Sequence, residues 1–401
     1  MSEPTKEPSP RISRLVADLP PSGIRKFFDL VIGREDIVSL GVGEPDFSTP
    51  WRICEAAVYA IERGKTSYTS NRGLMALRNE IAGYLQSRYG VSYHPATEMC
   101  ITVGVSQGID IALRAITNPG DQVIVIEPCY VSYKPMALLA GADVLILPTY
   151  MRDKFQPDLE RLEALVTPRT KALLICNPNN PTGTTLSRAT LEGLAEVARR
   201  HDLIVLSDEV YAELTYEGEH VCFPALEGMR ERTVLMSGFS KAFAMTGWRL
   251  GYLAGPRDLI EAAVKIHQYS MMCAPIMAQY AAIEALRNGR RDVEEMLAAY
   301  DERRHVITRG LNTIGLPCLL PTGAFYAFPS VAHLGMTSEQ FCLELLAQTN
   351  VAVVPGNAFG ECGEGHVRCS YAASIEQIRT ALDRMGAFVG TLRPLERASA
   401  R

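Results

Sequence analysis

Lys241 lies in the stretch SGFSKAFAMTGWRLGY (237–252), among small and polar residues between two apolar runs of strand length. A lysine on a tight connection between buried segments loses hydration, which lowers its pKa and leaves an amine able to form a Schiff base with an aldehyde. A solvated loop lysine is the ordinary alternative. The neighbours weigh against it, because Ser237 and Ser240 offer hydroxyls and Arg249 a guanidinium suited to a phosphate. A phosphorylated aldehyde would use both features at once.

From residue 100 onward the chain carries elements able to position such a lysine. Apolar runs at 100–103, 122–128, 143–148, 171–176, 203–208, 233–236 and 251–255 alternate with amphipathic helical windows such as 106–117 and 187–200, the latter with Ser187 as N-cap. Near-continuous Val/Ile/Leu strands alternating with helices predict an α/β large domain whose mostly parallel sheet is covered on both faces. Ligands of such sheets bind beyond the carboxyl ends of the strands.

The residues that follow each strand are the chemically capable ones. They are Ser106 and Gln107 at a helix start, Tyr130, Asn180 within NPNNPTG, Asp208 and Tyr211 within SDEVY, and then Lys241. A pyridine aldehyde phosphate would use them all. Helix-start amides suit a dianion, Tyr130 can stack on a ring, and Asn180 and Tyr211 can hydrogen-bond a phenolate oxygen. Asp208 can hold a proton on the ring nitrogen, where it makes the ring an electron sink. Singly, each has a plainer reading: Ser106 as a helix cap, Asn180 in a turn, Asp208 at a strand end, Tyr130 in the core. In one consistent order they point to a site.

The strings GVGEPDF, NPNNPTG, SDEVY and SKAFAMTGWRLGY resemble those of the class I aminotransferases, the pyridoxal phosphate enzymes of fold type I, in the branch that includes prokaryotic aspartate and aromatic aminotransferases. The likeness runs from about Gly23 to the C-terminal helix. It implies a fold type I large domain with a smaller α+β domain, and pyridoxal 5'-phosphate as cofactor. Lys241 becomes the Schiff-base lysine, Asp208 the pyridinium partner, Asn180 and Tyr211 the phenolate partners, and Tyr130 the stacking ring. Ser106, Gln107, Ser240 and Arg249 become phosphate ligands. Tyr68, locally just an aromatic in the loop SYTSNRG, is carried by the likeness into the phosphate site of the other subunit of a homodimer. Arg368, in HVRCSY, reads locally as a surface-facing arginine paired with a glutamate. The resemblance makes it the bidentate clamp for a substrate α-carboxylate, assisted by the backbone of Gly43, which by itself reads as a turn glycine. One departure is visible: many relatives carry a serine three residues before the lysine, where this chain has Gly238 beside Ser237.

The implied reaction is ping-pong transamination from an L-amino acid of aspartate or aromatic type to a 2-oxo acid such as 2-oxoglutarate. A C–S lyase or a decarboxylase would use the same electron sink. A pyridoxal phosphate-sensing regulator would keep the fold without turnover, but neither a helix-turn-helix nor a basic helix stands out. A nicotinamide dehydrogenase would want a GxGxxG after its first strand, and GVGEPDF has Asp46 where the third glycine belongs. In the segment PSGIRKFF, Phe27 and Phe28 could line an aromatic pocket and Arg25 could meet an acidic side chain, although packing and solvation are the plainer readings.

Length and composition bound the rest. The 401 residues suggest two domains. The patterning divides them into a polar, irregular leader at 1–20, a small domain from 21–50 and 290–401, and a large domain at 51–289, with a helix at 292–313 bridging the two bodies. A net charge of -5 gives no reason to expect nucleic acid or an acidic membrane as partner. The polar leader lacks the apolar core of a signal peptide, and no apolar run approaches the ~20 residues a bilayer requires, so a cytoplasmic protein is expected. Ten cysteines without a CxxC pair read as buried thiols in a reducing compartment. The seven histidines lack zinc-ligand spacing, so no metal is expected.

Overall fold

The computed structural model describes residues 11–19, 23 and 36–392. Arg25, Phe27, Phe28 and much of the leader lie outside the described residues. Within the leader, expected to be irregular, Arg14–Ala17 forms a single helical turn (α1) with no buried residue.

The sheet that carries the site is built from β2 (Met99–Thr102), β3 (Gln122–Glu127), β4 (Asp143–Pro148), β5 (Thr170–Cys176), β6 (Ile204–Asp208), β7 (Thr233–Gly238) and β8 (Gly251–Ala254); β1 (Val38–Ser39) precedes them. Their order is β2-β8-β7-β6-β5-β3-β4. Only β8 runs antiparallel to its neighbours. This is the mostly parallel sheet that the alternating strands and helices predict. Helices α2 (Trp51–Glu62) and α3 (Met75–Tyr89) come before it in the chain. Helices α4 (Gly104–Ile116), α5 (Tyr133–Leu139), α6 (Leu159–Leu165) and α7 (Arg188–Arg200) connect its strands, and α8 (Arg257–Ser270) and α9 (Ile276–Asn288) follow.

Strand β3 shows why the sheet is covered twice. Val123 and Val125 pack into the cluster that holds Ile109 and Leu113 of α4, while Ile124 and Ile126 pack into the one that holds Leu191 and Leu194 of α7. Alternate side chains of a strand point to opposite faces, so an unbroken apolar run demands helices on both. Each such side chain contributes about 1.5–3 kcal/mol on burial.

Past the sheet, α10 (Arg290–Thr313) has 24 residues and a length of about 36 Å. Strands β9 (Tyr326–Ala327), β11 (Val354–Pro355) and β12 (Val367–Ser370) form an antiparallel sheet in the order β11-β12-β9. β10 (Val351–Ala352) pairs parallel with β1. Helices α11 (Ser338–Thr349) and α12 (Ile375–Thr391) both open on capping boxes, Thr337 with Gln340 and Ser374 with Gln377, which satisfy backbone amides at each start. Tyr300, Ile307, Phe325, Phe341, Val351 and Phe388 build the core here. The same cluster takes in Tyr211, Leu214 and Ala244, so the loops after β6 and β7 pack into this core.

Two helix starts differ from the sequence reading by two residues. Helix α4 begins at Gly104 rather than Ser106, because Gly104 takes a left-handed φ of +71° and turns the chain two residues earlier. Helix α10 begins at Arg290, two residues before the patterning suggested. Ser187 caps α7 as its sequence implies, accepting from the Thr190 amide at 3.0 Å.

Among the described residues no helix is long and apolar enough to cross a membrane, and no group of His, Cys, Asp or Glu could hold a metal ion. All ten cysteines are free; Cys54, Cys273 and Cys362 are half-buried and the others buried.

Candidate active site

A cavity of about 590 Å³ opens over the carboxyl ends of β3, β5, β6 and β7. Its volume falls in the range common to small-molecule sites. Ser106, Tyr130, Asn180, Asp208, Tyr211, Ser240, Lys241, Arg249, Gly43 and Arg368 all line it, from seven separate segments of chain.

Lys241 follows β7 on a loop whose apolar flanks, Phe239 and Ala242, are buried. Its ammonium donates to the carbonyl oxygen of Gly43 at 2.7 Å. Burial, with the positive charges of Arg368 and Arg249 nearby, lowers its pKa to about 8, against the pull of Glu44 and Asp208. The amine is therefore far easier to deprotonate than a surface lysine.

Asp208 ends β6 and is buried, which pushes its carboxyl up to about 6. Two donors oppose that rise: the Tyr133 hydroxyl at 2.7 Å from Oδ2 and the Val210 amide at 3.2 Å from Oδ1. Tyr133, fully buried at the start of α5, keeps its proton because burial drives its own pKa well up. It can only donate to the carboxylate, and so favours its ionised form.

Arg368 sits in β12 at 2% exposure, which overturns the local reading of a solvated strand residue paired with a glutamate. Its Nη1 donates to Asn180 Oδ1 at 2.9 Å and its Nη2 to the Gly41 carbonyl at 2.7 Å. The guanidinium lies between two aromatic faces, Tyr326 at 4.5 Å and Phe359 at 4.8 Å, and its Nε is buried without a partner. A buried cation with an unused donor is costly unless an anion meets it.

At the opposite end, the amides of Gly104 to Gln107 form the first turn of α4 and have no partner within the helix. Ser106, Ser240 and Arg249 add two hydroxyls and a guanidinium. Arg249 holds a left-handed φ of 53° and donates from Nη1 to the Thr246 carbonyl at 2.9 Å. A Cβ on Gly104 would lie 2.7 Å from its guanidinium, so the glycine clears space for that arginine.

Gln107 belongs to this end only through its backbone. Its side chain does not line the cavity; it accepts from the Val103 amide at 2.7 Å and reaches His267 Nδ1 at 2.9 Å. Ser237 does not stand in for the missing serine: its hydroxyl donates to the Glu209 carbonyl at 3.3 Å, outside the cavity. A Cβ at Gly238 would come 2.9 Å from the Leu250 carbonyl oxygen and 3.0 Å from Gly251 Cα, so that serine has no room on this backbone. Tyr68 is 81% exposed and does not line the cavity of its own chain.

Two tyrosines escaped the sequence reading. Tyr133 holds Asp208, and the Tyr326 hydroxyl shares a 2.7 Å hydrogen bond with that of Tyr211. Glu44 and Thr246, bonded to each other at 3.0 Å, complete the mouth.

The donor set fits pyridoxal phosphate from end to end. Free helix-start amides, hydroxyls and a guanidinium suit a dianion, Tyr130 supplies an aromatic ring to the same cavity, and a buried carboxylate and an easily deprotonated lysine line it too. Sheet and site together define a fold type I enzyme of the pyridoxal phosphate-dependent aminotransferase class. The chain belongs to the aminotransferase class I and II family, whose model matches residues 35–385. YugH of Bacillus subtilis, which carries an aminotransferase name without a substrate, is 55% identical over 378 residues, 94% of this chain and 98% of its own. The aromatic-amino-acid aminotransferase 2 of Thermococcus litoralis is 45% identical over 368 residues, 91% of this chain and 95% of its own. Among solved structures, the aspartate aminotransferase of Thermus thermophilus with maleate superposes at a TM-score of 0.89 and 40% identity, over 94% of this chain and 99% of that one.

Proposed function

We propose that this aminotransferase transfers an amino group from an L-amino acid of the aspartate or aromatic type to a 2-oxo acid such as 2-oxoglutarate, by a ping-pong exchange. The observation that carries the reading is the Lys241 amine, withdrawn from water in a cavity that also holds Asp208 and Arg368. When bound, pyridoxal phosphate supplies a ring that accepts the electron pair left on the substrate α-carbon.

The chain's own residues do the rest. The amides of Ser106 and Gln107, with Ser240 and Arg249, hold the phosphate. Tyr130 stacks on the ring, Asn180 and Tyr211 hydrogen-bond the phenolate oxygen, and Asp208 holds a proton at the ring nitrogen. Arg368 grips the α-carboxylate, with the unpaired Nε and the Gly43 backbone beside it. Lys241 would hold the cofactor through its amine and, once the incoming amino acid takes its place, its freed Nζ would accept the proton from the α-carbon. In this reading Tyr68 enters the phosphate site of the partner in a homodimer, and the free thiols suit the reducing cytoplasm.

The names of the relatives support the aspartate and aromatic types alike. A panel of amino donors, each followed by half-reaction absorbance and then offered 2-oxoglutarate, tests the reading. The expected product is the matching 2-oxo acid. Pyruvate with ammonia, or an amine with carbon dioxide, would mean elimination or decarboxylation instead.

A further inference from the structure

Tyr326 enters the cavity from β9, and several segments of the site converge on it. Its hydroxyl shares the 2.7 Å bond with Tyr211 and donates to the Gly43 carbonyl at 3.4 Å, the same carbonyl that receives the Lys241 ammonium at 2.7 Å. It can give its one proton to Gly43 while accepting from Tyr211, or give it to Tyr211, and the second arrangement leaves the Tyr211 proton free for the phenolate oxygen. Its ring lies under the Arg368 guanidinium at 4.5 Å. Its backbone is equally fixed. Tyr326 pairs with Ser370, two residues beyond Arg368, and a Cβ on Gly183 of the Asn180 loop would come within 2.0 Å of the Tyr326 carbonyl oxygen.

We propose that Tyr326 is a positioning residue for transamination: its hydroxyl sets Tyr211 and the carbonyl that receives Lys241, while its ring sets the plane of the Arg368 clamp. The inference rests on the functional reading above. Each half of the side chain has its own consequence, so the two can be separated.

Tyr326→Phe keeps the ring and removes the hydroxyl. It is expected to leave the KM for the amino donor within about threefold of wild type, slow the first half-reaction about tenfold, and weaken pyridoxal phosphate binding to apoprotein about fivefold. Tyr326→Leu removes the ring as well. It is expected to weaken binding of 3-phenylpropanoate, an unreactive monocarboxylate, about tenfold relative to Tyr326→Phe. Thermal melts check that both variants fold, and Tyr326→Met replaces the leucine variant if that one does not. A phenylalanine variant matching wild type in half-reaction rate and cofactor affinity overturns the hydroxyl's role. A leucine or methionine variant that binds 3-phenylpropanoate as well as Tyr326→Phe overturns the ring's role. Full activity in Lys241→Ala would remove the functional reading itself, whereas an inactive Lys241→Ala beside a wild-type-like Tyr326→Phe removes only this inference.

Discussion

At the scale of single residues the site works by opposed displacements of charge. Lys241 is pushed toward its neutral form and Asp208 toward its protonated form, both chiefly by burial. For Asp208 this has a consequence for stability. Its folded value of about 6 lies above the ordinary carboxylate value of about 3.9, so it contributes stability that is fully present below about pH 4 and is lost as pH rises through about 6. Urea unfolding of the apoprotein should therefore show wild type losing roughly 3 kcal/mol relative to Asp208→Asn between about pH 3 and about pH 7. A pH-independent gap between the two proteins would mean that burial does not govern this carboxyl. Tyr133→Phe should widen the window upward, because removing a hydrogen bond to a charged group, at about 1.5–3 kcal/mol, raises the carboxyl by a further one to two pK units.

At the scale of elements, the loops that end the strands present the chemistry, and this is the part of the fold most legible in the sequence. The runs that form β3, β5, β6 and β7 each give way to residues that line the cavity, since a parallel strand buried on both faces has its polar positions only at its ends. Asn180, Asp208 and Lys241 were readable for that reason. Tyr133 and Tyr326 were not, because their partners lie 75 and 115 residues away and nothing local marks them. The burial of Arg368 was equally hidden, since β12 is short and its neighbours Val354 and Tyr326 arrive from other segments. Close packing between elements also decides the fate of the residue three before the lysine. Gly238→Ser restores the side chain many relatives have, yet here its Cβ meets the backbone of Leu250 and Gly251 and the side chain of Val105 at 2.9–3.1 Å. It should destabilise the protein by about 1–3 kcal/mol in thermal or urea melts. A serine variant that is as stable as wild type and binds pyridoxal phosphate more tightly would refute that packing argument.

At the scale of the whole molecule, the cavity of one chain lies among its own residues while Tyr68 points to solvent, and Trp51, Tyr269, Met271 and Met272 are likewise exposed. The homodimer proposed above gives Tyr68 a place, and chain mixing tests it. Lys241→Ala and Tyr68→Ala homodimers should each be impaired. Co-refolded mixtures should regain activity, because one site of each hybrid combines an intact Lys241 with an intact Tyr68 from the other chain. Mixtures no more active than the average of the two parents would contradict the sharing of a site. The central claim is the bond between this chain and its cofactor, and it has a direct assay. Purified protein incubated with pyridoxal phosphate, reduced with borohydride and digested should carry the phosphopyridoxyl group on the peptide containing Lys241. Labelling of other lysines with Lys241 left unmodified, or no label at all, would contradict the account.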